Sequence, residues 1–265
     1  MKREKAPLPA KLIATVVIVL LVLIFLTGYI WVFLTSSDYF KIKEVITKDL
    51  NPDEFSYLKG KNIFSIDLNK ESRHILQFYP ESSRILVIRI LPDRLFIGAV
   101  KRKPIALVKL FRYFALDESG ALFYIREQAQ ELQLPLVFGL ESKITSPIPG
   151  RRYNVRELAL VINLIKEIKK SKELKDIKIQ KIDVSAPDSA TIAFLFFVES
   201  GAGQEKQGVV GPHSIEIKIS RENIKDKVAI LSGVIAQTKN DLANVKYIDL
   251  RFRDPVIKFN DAKTR

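Results

Sequence analysis

An unbroken apolar run near the N-terminus constrains the fold of this chain more than any other feature. The run from Leu12 to Leu34 contains 23 residues and no charged side chain. About 20 helical residues cross a hydrocarbon core of roughly 30 Å, so the run is long enough to span a membrane. Tyr29 and Trp31 lie near its C-terminal end, where aromatic side chains of membrane helices meet the headgroup layer. We therefore predict a transmembrane helix over residues 12–34.

Two other structures for this run fit the sequence less well. A cleaved signal peptide has an apolar core of about 7–15 residues, followed by small residues at the cleavage site. Here the run is longer, and Tyr39 and Phe40 follow it closely. A helix that packs on the core of a globular protein usually keeps a polar face toward solvent, and this run has none. We therefore expect an uncleaved membrane anchor.

The charges on the two sides of the run predict its orientation. Four basic residues and one acidic residue precede it, whereas the charges within the ten residues from Asp38 onward cancel. Basic residues flanking a membrane helix favour the cytoplasmic side. We therefore expect residues 1–11 to form a cytoplasmic tail and the bulk of the chain, after residue 34, to lie outside the membrane.

The net charge of +13 would suggest nucleic acid as a partner in a cytoplasmic protein. Beyond residue 37, however, 39 basic and 29 acidic residues leave +10 on a part of the chain that is expected to lie away from the chromosome. Basic residues there alternate with apolar ones, as in Lys41-Ile42-Lys43, which is typical of strands with one solvated face. We therefore exclude nucleic acid, and two explanations stay open: solvated strand faces, or attraction to anionic envelope material or an acidic partner.

The stretch 40–110 has the pattern of a β-α-α-β-β module. Asn51 and Pro52 are typical of a helix start, and Gly60 is typical of a helix end. In the second predicted helix, which ends before Pro80, we expect Ile75, Leu76 and Phe78 to face inward. The predicted strands are Phe40–Ile46, Arg84–Ile90 and Leu95–Arg102, and the predicted helices start at Asn51 and Asn69.

The stretch 111–260 predicts a second, larger unit, followed by a tail, 261–265. Its predicted helices, Val155–Ile168 and Ile224–Thr238, carry apolar residues at helical spacing. A polar stretch, Ser200–Gly211, joins two of its strands. The fold class is therefore α+β: one transmembrane helix, a small module, and a mostly antiparallel β domain with flanking helices. The predicted strands of this domain are Phe111–Leu116, Leu122–Ile125, Leu134–Phe138, Ile177–Val184, Thr191–Glu199, His213–Ile219, Lys246–Phe252 and Val256–Phe259.

No residue pattern in the chain indicates catalysis, a metal or a cofactor. The sequence has no cysteine, and its two histidines, His74 and His213, are far apart. Asp117 opens a hairpin turn, where Asp is structurally favoured. Asp249 stands two residues from Arg251, which favours an ion pair. We therefore predict a protein that is not an enzyme, with no catalytic, cofactor-binding or metal-ligating residues.

Six short motifs follow one another along residues 12–260. They are Gly60-Lys61-Asn62-Ile63-Phe64, Leu91-Pro92-Asp93-Arg94-Leu95, Lys103-Pro104-Ile105-Ala106, Leu116-Asp117 with Gly120, Leu134-Pro135-Leu136 with Gly139, and Tyr247-Ile248-Asp249-Leu250-Arg251-Phe252. In this order the motifs give the chain a resemblance to the FtsQ/DivIB family of bacterial cell-division proteins. In that family the first module is a POTRA domain. The chain departs from the family at Lys101, where the family has Glu, and at Phe252, where it has Tyr.

The resemblance implies a non-enzymatic scaffold of the divisome, active in septation. It implies FtsB/DivIC-like and FtsL-like partners outside the membrane, and a role of the POTRA domain in localisation and in recruiting other divisome members. It also implies a location in the cell (inner) membrane at the division septum. The competing function is that of another POTRA-containing, membrane-anchored envelope assembly or transport factor.

The end of the β domain is the expected docking surface for the FtsB-like partner. The last strand can leave one edge unpaired, and an unpaired edge can accept a partner strand. Basic side chains near this edge would favour an acidic partner segment. Alternatively, Pro255 and Lys258 simply blunt the edge. The candidate partner-binding residues are Tyr247, Arg251, Phe252, Asp254, Val256, Ile257, Lys258 and Phe259.

Overall fold

The computed structural model describes residues 10–124, 133–175, 177–196, 213–238 and 241–260. By its contacts the chain divides into two compact units. The first comprises Met1–Phe78 and Ser82–Val100, and the second comprises Tyr79–Glu81 and Lys101–Arg265. The predicted cytoplasmic tail (apart from residues 10 and 11), the C-terminal tail and the Ser200–Gly211 stretch lie outside the described residues.

The first unit begins with a long helix, α1, at Ala10–Ser36. Its segment Ala14–Ser36 is long and apolar enough to cross a membrane, and none of its residues is fully buried in the protein. The helix fits a single-pass membrane anchor, as the apolar run predicts. Its polar side chains are also compatible with lipid: the Thr15 and Thr35 hydroxyls donate to the Lys11 and Trp31 carbonyls, at 2.9 and 2.8 Å. Polar groups satisfied inside the helix do not need water.

The rest of the first unit is a three-stranded sheet with one α-helix. The strand order is β1-β3-β2, and β1 pairs with β3 in parallel. The buried side chains Phe55, Leu58 and Ile75 come from the helical segments. The elements are β1 (Glu44–Lys48), a 3₁₀ helix (Pro52–Leu58), α2 (Leu68–Phe78), β2 (Ser82–Ile90) and β3 (Arg94–Lys101).

Two details of this unit differ from the sequence prediction. The helix after Asn51 is a 3₁₀ helix, although Asn51 caps it as expected by accepting a hydrogen bond from the Asp53 amide at 3.2 Å. Phe78 was wrongly predicted to face inward. It is 67 % exposed and its ring lies 5.2 Å from that of His74. Phe78 is the last residue of α2, where the chain leaves the sheet, and helical spacing alone does not reveal this.

The second unit is built on one nine-stranded sheet with the order β12-β11-β10-β9-β8-β7-β4-β5-β6. Five neighbouring pairs are antiparallel, and β10–β11, β4–β7 and β7–β8 are parallel. This confirms an α+β fold with a mostly antiparallel sheet. The strands are β4 (Pro104–Lys109), β5 (Tyr113–Asp117), β6 (Leu122–Phe123), β7 (Leu136–Phe138), β8 (Lys178–Asp183), β9 (Ser189–Phe196), β10 (His213–Ser220), β11 (Val245–Leu250) and β12 (Val256–Phe259).

Strand β4 belongs to this sheet, although the sequence analysis predicted no strand at these residues and included them in the first module, 40–110. Its four central residues, Ile105–Val108, are all buried, because β5 and β7 flank it on both edges. A run buried on both faces identifies a central strand. It does not reveal which sheet the strand joins, and that is why the sequence left β4 with the preceding hairpin.

Two helices, α3 (Arg156–Lys170) and α4 (Ile224–Gln237), contribute to the main core of the second unit. On β10, Ile215, Ile217 and Ile219 alternate with polar residues and are fully buried. Burying one such side chain stabilises the fold by about 1.5–3 kcal/mol. The alternation along β10 also determines its register, because a slip by one residue would expose all three isoleucines.

Candidate partner-docking edge

The last strand, β12, forms one edge of the nine-stranded sheet. It pairs antiparallel with β11, with Ile257 opposite Ile248 and Lys258 opposite Tyr247. On its other side, no strand within the described parts of the chain pairs with it. The turn before β12 ends in Pro255, which has no amide N–H to donate. A ladder between β12 and an added strand would therefore lack this donor at the N-terminal end of β12.

The direction of the main-chain groups along β12 follows from one hydrogen bond. The Asn260 amide donates to the Asn244 carbonyl at 2.7 Å, next to the paired residues Phe259 and Val245. In an antiparallel ladder, amide and carbonyl groups of successive residues point alternately to the two neighbours. The N–H and C=O groups of Ile257 and Phe259 therefore point away from β11, toward the unpaired edge.

A β-bulge in β11 determines which side chains stand beside β12. The register shifts between Val245 and Tyr247. The bulge adds one residue to β11 between these two positions. With this extra residue, Val245 and Ile248 are both fully buried, whereas Tyr247 is only half-buried. The sheet face with Tyr247 therefore carries a partly exposed aromatic ring near the edge. Lys218 of the neighbouring strand β10 stacks its ammonium 5.3 Å from the centre of that ring.

Apolar side chains line the edge. Ile257 is half-buried and packs against the main core. Three others are widely exposed: Phe252 at 60 %, Val256 at 48 % and Phe259 at 48 %. Single exposed apolar residues are normal on protein surfaces, and these three are notable because they lie within eight positions of one another at the sheet edge. Asp254, in the turn before β12, is exposed.

Arg251, one of the predicted partner-binding residues, forms an ion pair within the protein. Its guanidinium forks onto the buried carboxylate of Asp249, with Nε at 3.0 Å from Oδ1 and Nη2 at 2.6 Å from Oδ2. The hydrogen bond from Arg251, opposed by burial, holds the pKa of Asp249 below its ordinary value. This charge is therefore already compensated within the protein, whereas Arg253 and Lys258 form no ion pair with any described residue.

Two lysines of this region were missed by the sequence analysis. Lys218 reaches Tyr247 only because β10 and β11 pair in parallel, and Lys227 of α4 donates to the Phe252 carbonyl. Neither contact has a local signal, because the contacting residues are more than twenty positions apart. The eight predicted site residues all lie in or beside β11 and β12, so the structure brings them together at one edge.

Asp117, the other acidic residue singled out in the sequence, lies in a structural site. Its carboxylate accepts from the Ser119 and Ala121 amides, at 2.9 and 3.0 Å, and from Nη1 of Arg102 at 2.5 Å. Arg102 also donates to the Pro80 and Gly150 carbonyls. Burial raises the pKa of Asp117, but these hydrogen bonds outweigh it and leave the pKa below the ordinary value. Among the described residues, no group of three acidic, histidine or cysteine side chains could hold a metal ion.

One apolar helix that fits a single-pass membrane anchor, a small sheet unit and a larger α+β unit with an open edge strand define a membrane-anchored α+β protein. The family model described as "Cell division protein FtsQ/DivIB, C-terminal" matches residues 106–251, more than half of the chain. The chain therefore belongs to the FtsQ/DivIB family of cell-division proteins, a non-enzymatic family of division-site membrane proteins.

Relatives named "Cell division protein FtsQ" match most of the chain. The protein from Syntrophotalea carbinolica is 24 % identical over 236 residues, which cover 86 % of this chain and 77 % of the relative. The protein from Koribacter versatilis is 21 % identical, covering 96 % of this chain and 73 % of the relative. The protein from Geotalea daltonii is 22 % identical, covering 87 % and 80 %. These matches support a role in cell division.

Proposed function

We propose that this protein is a divisome scaffold that links FtsB/DivIC-like and FtsL-like partners at the division septum. In this proposal α1 anchors the chain with its N-terminus in the cytoplasm, and both folded units lie on the other side of the membrane. The four basic residues before the apolar run support this orientation. The first unit, a POTRA domain in this proposal, provides contacts to further divisome members.

The open edge of β12 is the observation that carries the proposal. Ile257 and Phe259 direct two N–H and two C=O groups outward, enough for a short antiparallel or parallel ladder with one added strand. Such β-augmentation derives affinity from main-chain hydrogen bonds and specificity from alternate side chains. The exposed rings of Phe252 and Phe259 would be covered by apolar side chains of the partner strand.

The charges around the edge favour an acidic partner segment. Arg253 and Lys258 form no ion pair with any described residue, and Lys218 and Lys227 lie close by, on Tyr247 and on the Phe252 carbonyl. Positive charge around a docking strand speeds the encounter with an acidic segment and disfavours basic ones. A strand with alternating apolar and acidic side chains therefore fits the edge in both shape and charge.

The proposal is tested by capturing the external segment of an FtsB/DivIC-like protein with the full chain in detergent. Phe259→Asp should reduce capture at least ten-fold, because it replaces an exposed ring at the edge with a charge. The matched control is Phe111→Asp, a ring that is 69 % exposed and lies beside the β4–β5 hairpin. The control should bind like the unaltered chain. Equal capture by both variants would contradict docking at β12.

A second pair of variants separates main-chain from side-chain contacts. Phe259→Ala removes the ring, and Phe259→Pro removes both the ring and the outward N–H. If the partner adds a strand, the proline variant should bind about five- to ten-fold more weakly than the alanine variant, since one ladder hydrogen bond is lost. Equal affinities would indicate that the ring alone is recognised and that no strand is added. The circular dichroism of both variants should match that of the unaltered chain.

A further inference from the structure

The loop Gly60–Phe64 contacts both the end of α1 and the segment that leads from α1 into the sheet of the first unit. Ile42 donates its amide to the Lys61 carbonyl at 2.9 Å, and Gly60 donates to the Ile42 carbonyl at 2.8 Å. Lys41 and Asn62 form an isolated antiparallel bridge. The loop therefore lies alongside the segment that leaves the membrane helix, and its position is set by the main chain.

Asn62 fastens this loop directly to the helix. Its Nδ2 donates to the Leu34 carbonyl at 2.8 Å, and its Oδ1 accepts from the Phe64 amide, also at 2.8 Å. Carbonyls in the last turn of a helix lack partners within the helix, so this contact stabilises the helix end. Leu34 and Thr35 are correspondingly half-buried, whereas the described residues from Ala14 to Phe33 are exposed.

Aromatic contacts reinforce the same junction. The ring of Phe40 lies 6.1 Å from that of Phe33 on α1 and 5.2 Å from that of Phe64 in the loop. Arg89 of β2 then fixes the loop from the other side, because its guanidinium donates to the Ile63 and Ile66 carbonyls at 2.8 and 2.7 Å. Helix, loop and sheet are thus joined by contacts between ordered groups.

These contacts set the depth of the loop relative to the membrane. Leu34 lies two residues before the end of the apolar segment Ala14–Ser36. With a rise of about 1.5 Å per residue, its carbonyl lies roughly 3 Å from that end. A side chain that bonds to this carbonyl must come from a loop at the boundary between hydrocarbon and headgroups. With α1 across the membrane, the residues next to Asn62 would therefore lie close to the headgroup layer.

Lys61 of the loop and Lys59, which directly precedes the loop, are two cations close to this layer. Lys59 and Lys61 are exposed, and neither forms an ion pair with a described residue. By contrast, Lys41 pairs with Asp38 at 2.7 Å, and Lys43 pairs with Asp93 at 3.0 Å. The ammonium of Lys61 lies 5.2 Å from the centre of the Tyr57 ring, so its position is set by a contact within the first unit.

We propose that Lys59 and Lys61 bind the headgroup phosphates of anionic phospholipids in the leaflet from which α1 emerges. This contact would hold the first unit against the membrane surface. Each lysine near an anionic surface contributes roughly a five-fold preference, so the pair should favour the membrane-bound arrangement about 25-fold. The inference is independent of the docking function of β12, because it uses only contacts within the first unit.

The test uses the full chain in lipid vesicles, with a fluorescent label at Ser65→Cys, an exposed position next to the loop. The chain has no cysteine, so this label is unique. A nitroxide on the lipid headgroups quenches a label that lies at the surface. We expect stronger quenching in vesicles with 30 % phosphatidylglycerol than in pure phosphatidylcholine, and we expect 0.5 M NaCl to remove the difference.

Charge variants then assign the effect to the two lysines. K59E/K61E should abolish the dependence on phosphatidylglycerol, and K59R/K61R should retain it. The matched control is K48E/R84E, which inverts two exposed cations at the opposite end of the sheet and should behave like the unaltered chain. Equal quenching in both vesicle types, or an unchanged lipid dependence in K59E/K61E, would overturn the proposal. Proteolysis of the variants in detergent verifies that the first unit is folded.

Discussion

Two arginine–aspartate pairs in the second unit have the same chemistry but different surroundings. In the pair Arg102–Asp117 the side chains are 4 % and 9 % exposed, and in the pair Arg251–Asp249 they are 42 % and 8 % exposed. Arg102 also bonds two carbonyls, of Pro80 and Gly150. The cation of the first pair is thus enclosed by protein, whereas the cation of the second remains in contact with water.

This difference in exposure predicts different contributions of the two pairs to stability. A buried charge that loses its partner has no water to solvate it, so the whole site depends on both members. An exposed guanidinium keeps its solvation when its partner is lost, and such pairs contribute little to stability. We therefore interpret Arg102–Asp117 as a buried ion pair that stabilises the fold, and Arg251–Asp249 as part of the surface beside β12.

The largest expected effect is that of breaking the buried pair. Arg102→Leu should lower the free energy of unfolding by about 3–5 kcal/mol, because it leaves the Asp117 carboxylate without its cation and two carbonyls without their donor. Urea unfolding of the full chain in detergent measures this loss. The matched control, Arg253→Leu, removes an exposed arginine and should change stability by less than about 0.5 kcal/mol. Similar effects of the two substitutions would refute the contrast between the regions.

The next effect is on the pH dependence of stability. The folded pKa of Asp117 lies below its ordinary value of 3.8, so the folded state binds fewer protons there than the unfolded state. The stability contributed by this group is complete above the ordinary pKa and is lost as the pH falls through the folded pKa. Unfolding by urea at pH 5 and pH 3 should therefore show a smaller loss on acidification in Asp117→Asn than in the unaltered chain.

A smaller effect should come from the open edge. Lys258→Glu should weaken capture of an acidic partner segment about five- to ten-fold, mainly through slower association, and the difference should shrink at high salt. Stopped-flow or surface-plasmon kinetics at two salt concentrations measure this. Lys246→Glu, an exposed lysine on the neighbouring strand β11, is a control for general charge effects. An effect only on dissociation would contradict electrostatic steering by Lys258.

The smallest expected effect is that of breaking the exposed pair. Arg251→Ala should reduce the free energy of unfolding by about 1 kcal/mol or less, since the pair is at the surface and Asp249 also accepts from the residue 251 amide. Partner capture should change less than with Lys258→Glu. A loss of stability as large as that in Arg102→Leu would show that exposure does not distinguish the two pairs.

Much of the fold could be predicted from the sequence because local patterns determine it. The apolar run of α1 is long enough to span a membrane, and the alternation of apolar and polar residues along β10 is typical of a strand. Non-local pairing could not be predicted. Nothing near Pro104–Lys109 shows that β4 joins the large sheet, and nothing near Lys218 shows that β10 lies parallel to β11.

The candidate site was predictable to a similar extent. The last strand and its proline turn can be read from Pro255 and the residues after it. The contacts of the charged residues cannot. Arg251 was expected to attract a partner, but its fork onto Asp249 depends on side-chain geometry that spacing alone leaves open. Asn62 likewise appears in the sequence only as part of a motif, and its bond to Leu34 becomes visible in the structure.

Residue-resolved hydrogen–deuterium exchange tests the docking of a partner strand on β12 most directly. In the free protein, the amides of Val256 and Lys258 should be protected by pairing with β11, whereas those of Ile257 and Phe259 should exchange rapidly. Addition of the FtsB/DivIC-like external segment should slow exchange selectively at Ile257 and Phe259. Unchanged exchange at these two amides in a saturated complex would contradict the account.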